Sequence, residues 1–258
     1  MKPKLRVPIR RDVYFIISIL GFLVPLVIWQ MVCSEHLVSH LFLPTPVQVW
    51  EAIRTWSNGT LGEDIYVSVK QVILGFLYAA VIAVPLGIYI GLFKPIEAAL
   101  QPINDFFRYM PASAFIPLVL LWIGIGDSAK VSIIFIGVFF QIIVMTADVI
   151  RNVPQDYIDA LYTMGARDSE AINLVVIRCA APDILNILRV NMGWAWTYLV
   201  VAEMVAANRG LGFAIMQAQR FMDTPRIFGG IFIIGMLGVI FDLAFRFLYH
   251  IIFRWKVI

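Results

Sequence analysis

The sequence contains little charge. Aspartate, glutamate, lysine and arginine make up only 14% of its 258 residues, whereas 61% are hydrophobic and the mean hydropathy is +0.86. Soluble domains are about half apolar and about a quarter charged. This composition excludes an ordinary soluble domain and predicts an all-α, polytopic membrane protein. The net charge of +3 is small, so we expect no nucleic-acid partner.

Cysteine and histidine are also scarce. The two cysteines, Cys33 and Cys179, fall near the outer end of the first apolar segment and in a long polar segment, so we expect no disulfide between them. Two of the three histidines, His36 and His40, stand one helical turn apart without an acidic third ligand between them. Because zinc sites use three or four protein ligands, we expect no metal site.

The phosphate-binding loop of ATPases is absent. The sequence has no GxxxxGK[ST] motif and no Gly-Lys pair at all. That motif cradles the phosphates of a bound nucleotide. We therefore expect this chain neither to hydrolyse ATP nor to bind a cofactor, and we predict no catalytic residue in it.

Long apolar segments, in contrast, are abundant. A helix needs about 20 mostly apolar residues to cross the hydrocarbon. A shorter candidate, Ala112–Ile125, lies between Pro111 and Gly126. It is predicted to be tilted, recessed or broken, which is tolerated where protein or water covers the freed backbone. The longer predicted spans are Val13–Val32, Val72–Phe93, Val131–Val149, Val190–Ala207 and Ile231–Phe253.

The basic residues orient these spans. With the N-terminus inside, most of the 20 lysines and arginines, Arg108 and Arg189 among them, fall in inner segments. Cytoplasmic segments carry this excess in membrane proteins, so we expect both termini to be cytoplasmic. The predicted organisation is a cytoplasmic tail (1–12), a first transmembrane helix (13–33), an extracytoplasmic loop (34–71), a transmembrane core (72–253) that includes a cytoplasmic loop (151–189), and a cytoplasmic tail (254–258).

The cytoplasmic loop is the longest polar segment on the inner side. Within it, Pro154–Ala166 and Ser169–Arg178 are predicted to form two short helices joined near Gly165. Such a helix either lies on the bilayer surface or fits a groove on a partner protein, and the pattern favours neither reading. The apolar residues that share one face of the first helix are Tyr157, Ile158, Leu161 and Met164.

The same loop resembles a known motif. Asp159, Ala160 and Leu161, followed after three further residues by Gly165, are similar to the "EAA…G" motif of ABC importer permeases. An ordered set of segments between Leu43 and Trp255 resembles the nitrate/sulfonate/taurine-type members of this family. These segments are Leu43–Trp50, Ser68–Gly91, Pro111–Gly126, Leu188–Val190, Ala202–Met204 and Gly210–Gly212.

The resemblance implies a type I ABC importer permease fold with about six transmembrane helices and alternating access driven by ATP. It also implies partners: ATPase subunits, which carry ATP and magnesium, at the cytoplasmic loop; an extracytoplasmic substrate-binding protein; and a second permease copy or paralogue. The location would be the bacterial inner membrane. The solute would be a small anion such as nitrate, a sulfonate, taurine or bicarbonate.

The resemblance assigns ATPase coupling to residues of the loop. Gly165 is expected to let the chain turn sharply, and Pro182 to end the loop before the fifth span. Two positions depart from the family pattern: Asp159 replaces the usual Glu or Ala, and Arg178 stands where a proline is usual. We expect these changes to affect which ATPase docks. The predicted coupling residues are Tyr157, Asp159, Ala160, Leu161, Gly165, Ala166 and Pro182.

A few ionisable residues lie inside the predicted spans. Each costs roughly 2.5–3.5 kcal/mol near a helix centre, so a paired or functional role is the default. Asp242 and Arg246, one helical turn apart, are predicted to pair. Glu203 is interpreted either as a brace for the outer loop at Asn208–Arg209 or as a gate or substrate contact. The predicted translocation-pathway residues are Gln141, Asn191, Tyr198 and Glu203.

Two other classes of membrane protein remain as alternatives. Gly124–Asp127 matches the GxGD string of intramembrane aspartyl proteases, which need a second aspartate facing the first. Asp127 falls in a short outer turn, and Asp148 is nearly a full span away. An ATP-independent secondary transporter would show inverted repeats, which this sequence lacks.

Overall fold

Every regular element that the structure describes is helical, which confirms the all-α prediction. The computed structural model describes residues 10–35, 39, 41–206 and 208–256. His36 and His40 lie outside the described residues. The α-helices are α1 (Arg11–Ser34), α2 (Pro46–Ser57), α3 (Leu61–Leu92), α4 (Lys94–Arg108), α5 (Ile116–Ile123), α6 (Asp127–Arg151), α7 (Gln155–Thr163), α8 (Asp168–Ala171), α9 (Ile177–Ala206), α10 (Leu211–Arg220) and α11 (Thr224–Ile252).

The described helices provide five to six membrane spans. Five are long and apolar enough to cross a bilayer by themselves: α1, α3, α6, α11 and the continuous run 168–205 that contains α9. A sixth consists of α4 and the segment Ala112–Ile123, which meet at a bend of 86°. The short apolar segment of the sequence is therefore the second half of a bent helix pair, which forms either a broken span or a re-entrant loop. Five to six candidate spans agree with the prediction of about six.

The second span is longer than its apolar segment. Helix α3 begins at Leu61 rather than Val72, so the predicted boundary at residue 71 lies inside a helix. The added turns carry polar side chains that the fold satisfies. Trp56 Nε1 and Thr60 Oγ1 donate hydrogen bonds of 3.1 and 2.9 Å to the buried Asp64 carboxylate. The Gly210 N–H donates to the other Asp64 oxygen at 3.0 Å, and because this partner is distant in sequence, hydropathy does not detect the extension.

The fifth span is also longer than predicted. A π-helical turn, Ile172–Val176, joins α8 directly to α9, so Ser169–Arg178 is not a separate short helix. Within the predicted cytoplasmic loop 151–189, residues from Ile177 onward are helical and belong to α9. Pro182 lies buried inside this helix and does not end the loop. Membrane helices tolerate proline where neighbouring groups satisfy the freed backbone.

Helices α3 and α6 form the centre of the bundle and run parallel. A row of small residues on α3 recurs every fourth position and lies against α6. A Cβ placed on Gly87 would fall 2.7 Å from the Ile143 carbonyl oxygen and from the Thr146 Cβ. Small residues at this spacing let membrane helices approach closely. The row consists of Gly75, Ala79, Ala83, Gly87 and Gly91; we call it the small-residue seam.

Replacing Gly87 with valine is expected to destabilise the protein by roughly 1–3 kcal/mol or more, because the added carbons overlap α6. The melting temperature of the detergent-purified chain measures this effect. Gly62→Val, in the same helix, is the matched control because a Cβ there meets no atom within 4 Å. Equal melting temperatures for the two variants would show that the seam does not set the helix spacing.

We name the two ends of the bundle after the ends of α6. Arg151 at one end bonds to Glu97 near the start of α4, so α4 begins at the Arg151 end. Asp127 at the other end accepts a hydrogen bond of 2.7 Å from Gln71 Nε2. Helices α2 and α10 pack at this Asp127 end, and α7 follows directly after the Arg151 end.

Candidate coupling surface and membrane cavity

Helix α7 ends in a glycine-centred turn. Gly165 has φ +83°, a left-handed conformation that glycine adopts without steric cost. Its N–H donates to the Tyr162 carbonyl at 3.0 Å, and the Ala166 N–H donates to the Leu161 carbonyl at 3.1 Å. This pair of bonds is a Schellman motif, which satisfies the last carbonyls of a helix. The predicted sharp turn at Gly165 is therefore present.

One side of α7 is exposed. Met164 is 79% exposed and Tyr157 is 55% exposed, whereas Ile158 and Leu161 are half-buried. The predicted apolar face is thus divided: Ile158 packs on the cluster that contains Ile150, and the tyrosine and methionine point away from the bundle. We call the exposed side of residues 155–166 the coupling surface.

Side-chain hydrogen bonds fix the shape of this segment. Gln155 Nε2 donates to Asp159 Oδ1 at 2.9 Å, and the Tyr162 hydroxyl donates to Asp168 Oδ1 at 3.0 Å. The bond to the Asp168 carboxylate raises the pKa of the Tyr162 phenol, so this donor stays protonated. Helix α7 is consequently tied both internally and to the first turn of α8.

The structure brings six of the seven predicted coupling residues together. Tyr157, Asp159, Ala160, Leu161, Gly165 and Ala166 all lie in 155–166. Pro182 is separate from them, because it is buried within α9. Arg178 lies in the first turn of α9, where it is exposed.

A cavity of about 220 Å³ lies between α4, α6 and α9. Three of the four predicted pathway residues line it: Gln141, Asn191 and Tyr198. Arg108 and Trp194 line it too, together with apolar side chains that include Phe140. The Tyr198 ring rests directly on Gly137, so a Cβ at Gly137 would collide with it. We call this space the membrane cavity.

Arg108 is the functional candidate that sequence reasoning misplaced. The charge count assigns it to an inner segment, but α4 turns back into the bundle and carries it away from the Arg151 end. The preceding residue, Phe107, stacks on Phe140 with ring centroids 5.3 Å apart, and Phe140 lies midway along α6. The sequence does contain a signal for this placement. Pro111 directly follows an amphipathic segment that includes Arg108, and this pattern indicates a helix that ends beside apolar residues.

Glu203 does not line the cavity. It is fully buried near the Asp127 end, where Ser68 Oγ and the Gly212 N–H donate to its two carboxylate oxygens at 2.7 Å each. Ser68 Oγ in turn accepts a bond of 2.9 Å from the Leu211 N–H. Glu203 thus joins α3, α9 and the start of α10. This geometry matches the brace interpretation, with Gly212 as the partner in place of Asn208–Arg209.

The predicted pair in the last span is present, with an added partner. Arg246 Nε donates to Asp242 Oδ2 at 2.7 Å. Arg189 Nε lies 3.1 Å from the other oxygen of Asp242. Arg189 was assigned to an inner segment, but it lies within α9 and ties that helix to α11.

The aspartates of the GxGD alternative cannot act together. Asp127 begins α6, and Asp148 lies one turn before its end. At 1.5 Å per residue, about 30 Å of helix separates the two carboxylates. A shared proton requires direct contact, so the protease reading is wrong.

A family model described as "binding-protein-dependent transport system inner membrane component" matches residues 83–257. The matched region contains the coupling surface, the membrane cavity and four of the spans. The chain belongs to this family. It is therefore a transport permease, a multi-pass membrane protein whose relatives include subunits of ABC transporters.

Two relatives show how far the similarity extends. The taurine transport system permease protein TauC of Escherichia coli K12 is 32% identical to the permease over 98% of this chain and 93% of the relative. A putative aliphatic sulfonates transport permease protein, SsuC of Bacillus subtilis 168, is 32% identical over 92% of this chain and 87% of the relative. Both comparisons support an ABC importer permease and favour neither alternative.

A solved structure shows the same fold. The permease matches a chain of the MetNI methionine ABC transporter in an inward-facing conformation, with a TM-score of 0.64 and 19% identity. The match covers 74% of this chain and 94% of the MetNI chain. The expected type I importer permease fold is therefore confirmed.

Proposed function

We propose that the permease receives the motion of separate ATPase subunits at the coupling surface and uses it to import a small sulfonate-like anion. The observation that carries the coupling part is the Schellman turn at Gly165. A helix with a fixed C-terminal turn and exposed Met164 and Tyr157 is rigid and apolar on one side. Transmitted movement needs both properties, because the element must neither unwind nor detach.

The excess of lysine and arginine in the predicted inner segments supports an orientation in which the coupling surface faces the ATPase subunits. The Arg151 end then faces the cytoplasm, both termini are cytoplasmic, and the Asp127 end faces outward. A substrate-binding protein docks at the Asp127 end, and a second permease copy or paralogue completes the translocation path. ATP and magnesium bind to the ATPase partner.

The solute class follows from the relatives. TauC is named for taurine and SsuC for aliphatic sulfonates, and both solutes carry a small anionic group. Nitrate and bicarbonate are the comparison solutes, because they share the negative charge without the carbon stem.

Photo-crosslinking tests the docking proposal. A benzophenone amino acid in place of Met164 is expected to crosslink in native membranes to a protein that contains a GxxxxGK[ST] motif, and ATP should change the yield. The same amino acid in place of Phe221, which is 77% exposed but lies near the Asp127 end, should not capture that protein. Capture of the ATPase at Phe221 and not at Met164 would refute the proposed docking site and orientation.

Transport tests the solute. The tagged chain is purified from native membranes with its partners and reconstituted into liposomes. We expect uptake of radiolabelled taurine that requires ATP. Uptake of taurine without ATP, or ATP-driven uptake only of solutes that lack an anionic group, would contradict the proposal.

A further inference from the structure

We propose that the membrane cavity is a binding site for one small oxyanion, with the Arg108 guanidinium holding the negatively charged group. The inference rests on the proposed function, since it assumes that an anion crosses this permease. It goes further by assigning recognition to the membrane chain itself and to a particular residue.

The position of Arg108 is the first support. Its side chain is only 28% exposed, and it lies beside the middle of α6 rather than at either end. A guanidinium away from both ends of the spans is costly to insert and marks a functional position by default. Arginine also presents five N–H donors in a planar fork that matches oxyanions.

The existing partners of Arg108 leave donors unused. Its Nη2 group donates to Asp105 Oδ1 and to the Tyr109 hydroxyl, both at 3.3 Å. Charge-assisted bonds usually measure about 2.7–2.9 Å, so the pair with Asp105 is loose. The Arg108 Nε–H is buried and has no partner among the described residues. The Arg108 Nη1 group, which is not buried, has no hydrogen-bond partner among the described residues either, so it can donate to an acceptor bound in the cavity.

The rest of the cavity fits the same ligand. No acidic side chain is among the described residues that line it, and Arg108 is the one charged residue of the lining, with the Asp105 carboxylate 3.3 Å from its Nη2 group. Gln141, Trp194 and Tyr198 add neutral donors and aromatic surface. The volume of about 220 Å³ is below the roughly 300–1,000 Å³ of drug-sized pockets. The space therefore suits a small solute with an oxyanion group and a short apolar stem.

Asn191 adds a second point of recognition. It is fully buried, and its Nδ2 group donates to the Ile187 carbonyl at 2.9 Å. Its Oδ1 atom is buried without a partner among the described residues. Asn191 lines the same cavity as Arg108, so its amide favours a solute that carries its own N–H group as well as the oxyanion. An amino sulfonate such as taurine has both.

Direct binding to the permease–ATPase complex in nanodiscs tests the site. The substrate-binding protein is left out, so that only the membrane chain can hold the solute. The probe is radiolabelled taurine, with two competitors: ethanesulfonate, which lacks the ammonium group, and dimethyl sulfone, which is neutral. We expect saturable taurine binding that ethanesulfonate displaces and dimethyl sulfone does not.

Variants assign the contacts. Arg108→Gln should weaken taurine binding by about tenfold or more, the size expected for the loss of a charge-assisted hydrogen bond. Arg108→Lys keeps the charge without the planar fork and should bind with intermediate affinity. Asn191→Leu should weaken taurine more than ethanesulfonate. Arg246→Gln is the matched control and should bind as the wild type does, because Arg189 still pairs with Asp242.

Each outcome of these binding experiments either supports the proposed site or overturns it. Absent binding, equal displacement by dimethyl sulfone, or wild-type affinity in Arg108→Gln would overturn it, while ATP-driven taurine uptake would leave the proposed function intact. If Arg108→Gln does not assemble, Arg108→Lys decides, since an affinity equal to that of the wild type would show that the fork is not used. A failure of the proposed function appears separately, as the absence of ATP-driven anion uptake by the complete complex.

Discussion

Gly165→Val is expected to reduce ATP-driven uptake by about tenfold or more while the complex still forms. Valine in a left-handed conformation costs roughly 1–3 kcal/mol, so the turn at φ +83° rearranges and its two hydrogen bonds break. Helix α7 then frays at its C-terminal end and no longer transmits movement. Uptake and ATP hydrolysis, both measured per assembled complex, give the result, and we expect the ratio of solute moved to ATP hydrolysed to fall.

The permease contains a matched control for this change. Gly124, in the turn between α5 and α6, has φ +85°, and a Cβ there meets no atom within 4 Å, as at Gly165. Gly124→Val also places valine at a positive φ, here with ψ −178° and near the Asp127 end. It should lower stability by at least as much as Gly165→Val and leave the coupling ratio unchanged. Normal uptake in Gly165→Val would exclude a coupling role for the turn.

Glu203→Leu is expected to produce the largest loss of stability. The substitution removes the acceptor for Ser68 Oγ and for the Gly212 N–H at a site with no exposed surface. Each buried donor left unpaired costs roughly 1–3 kcal/mol. We expect a lower melting temperature and faster hydrogen exchange in α10, whose first turn the carboxylate holds.

Two further variants separate the brace from a general effect of charge. Glu203→Gln keeps the shape of the side chain and one acceptor oxygen, so it should lose less stability than Glu203→Leu. Glu63→Gln changes an exposed glutamate in the same region and should have an effect within about 0.5 kcal/mol. Unchanged exchange of the α10 amides in Glu203→Leu would refute the brace.

The sequence predicted those features of the fold that depend on local patterns. Apolar length identified the spans, and the family motif identified the segment that forms α7 and its turn. The start of α3 escaped prediction because Asp64 and Ser68 are satisfied by residues distant in sequence. The end of the coupling loop escaped because Pro182, which usually interrupts helices, is accommodated inside α9.

The candidate site was predictable only in part. Gln141, Asn191 and Tyr198 were identified as polar residues within spans, and they do line one cavity. Arg108 was missed because counting charges assumes that every span crosses straight, whereas α4 and α5 together form a bent one. Glu203 was ambiguous because helical periodicity gives the face of a residue but not the loop that folds back over that face.

The small-residue seam has a mechanical consequence. Gly75, Gly87 and Gly91 bring the backbone of α3 so close to α6 that neither helix can slide without collision. We therefore expect the pair to move as one rigid body. Opening and closing of the permease would then occur by displacement of other elements against this unit. The bend between α4 and α5, which carries Arg108 beside the cavity, is where we expect that displacement.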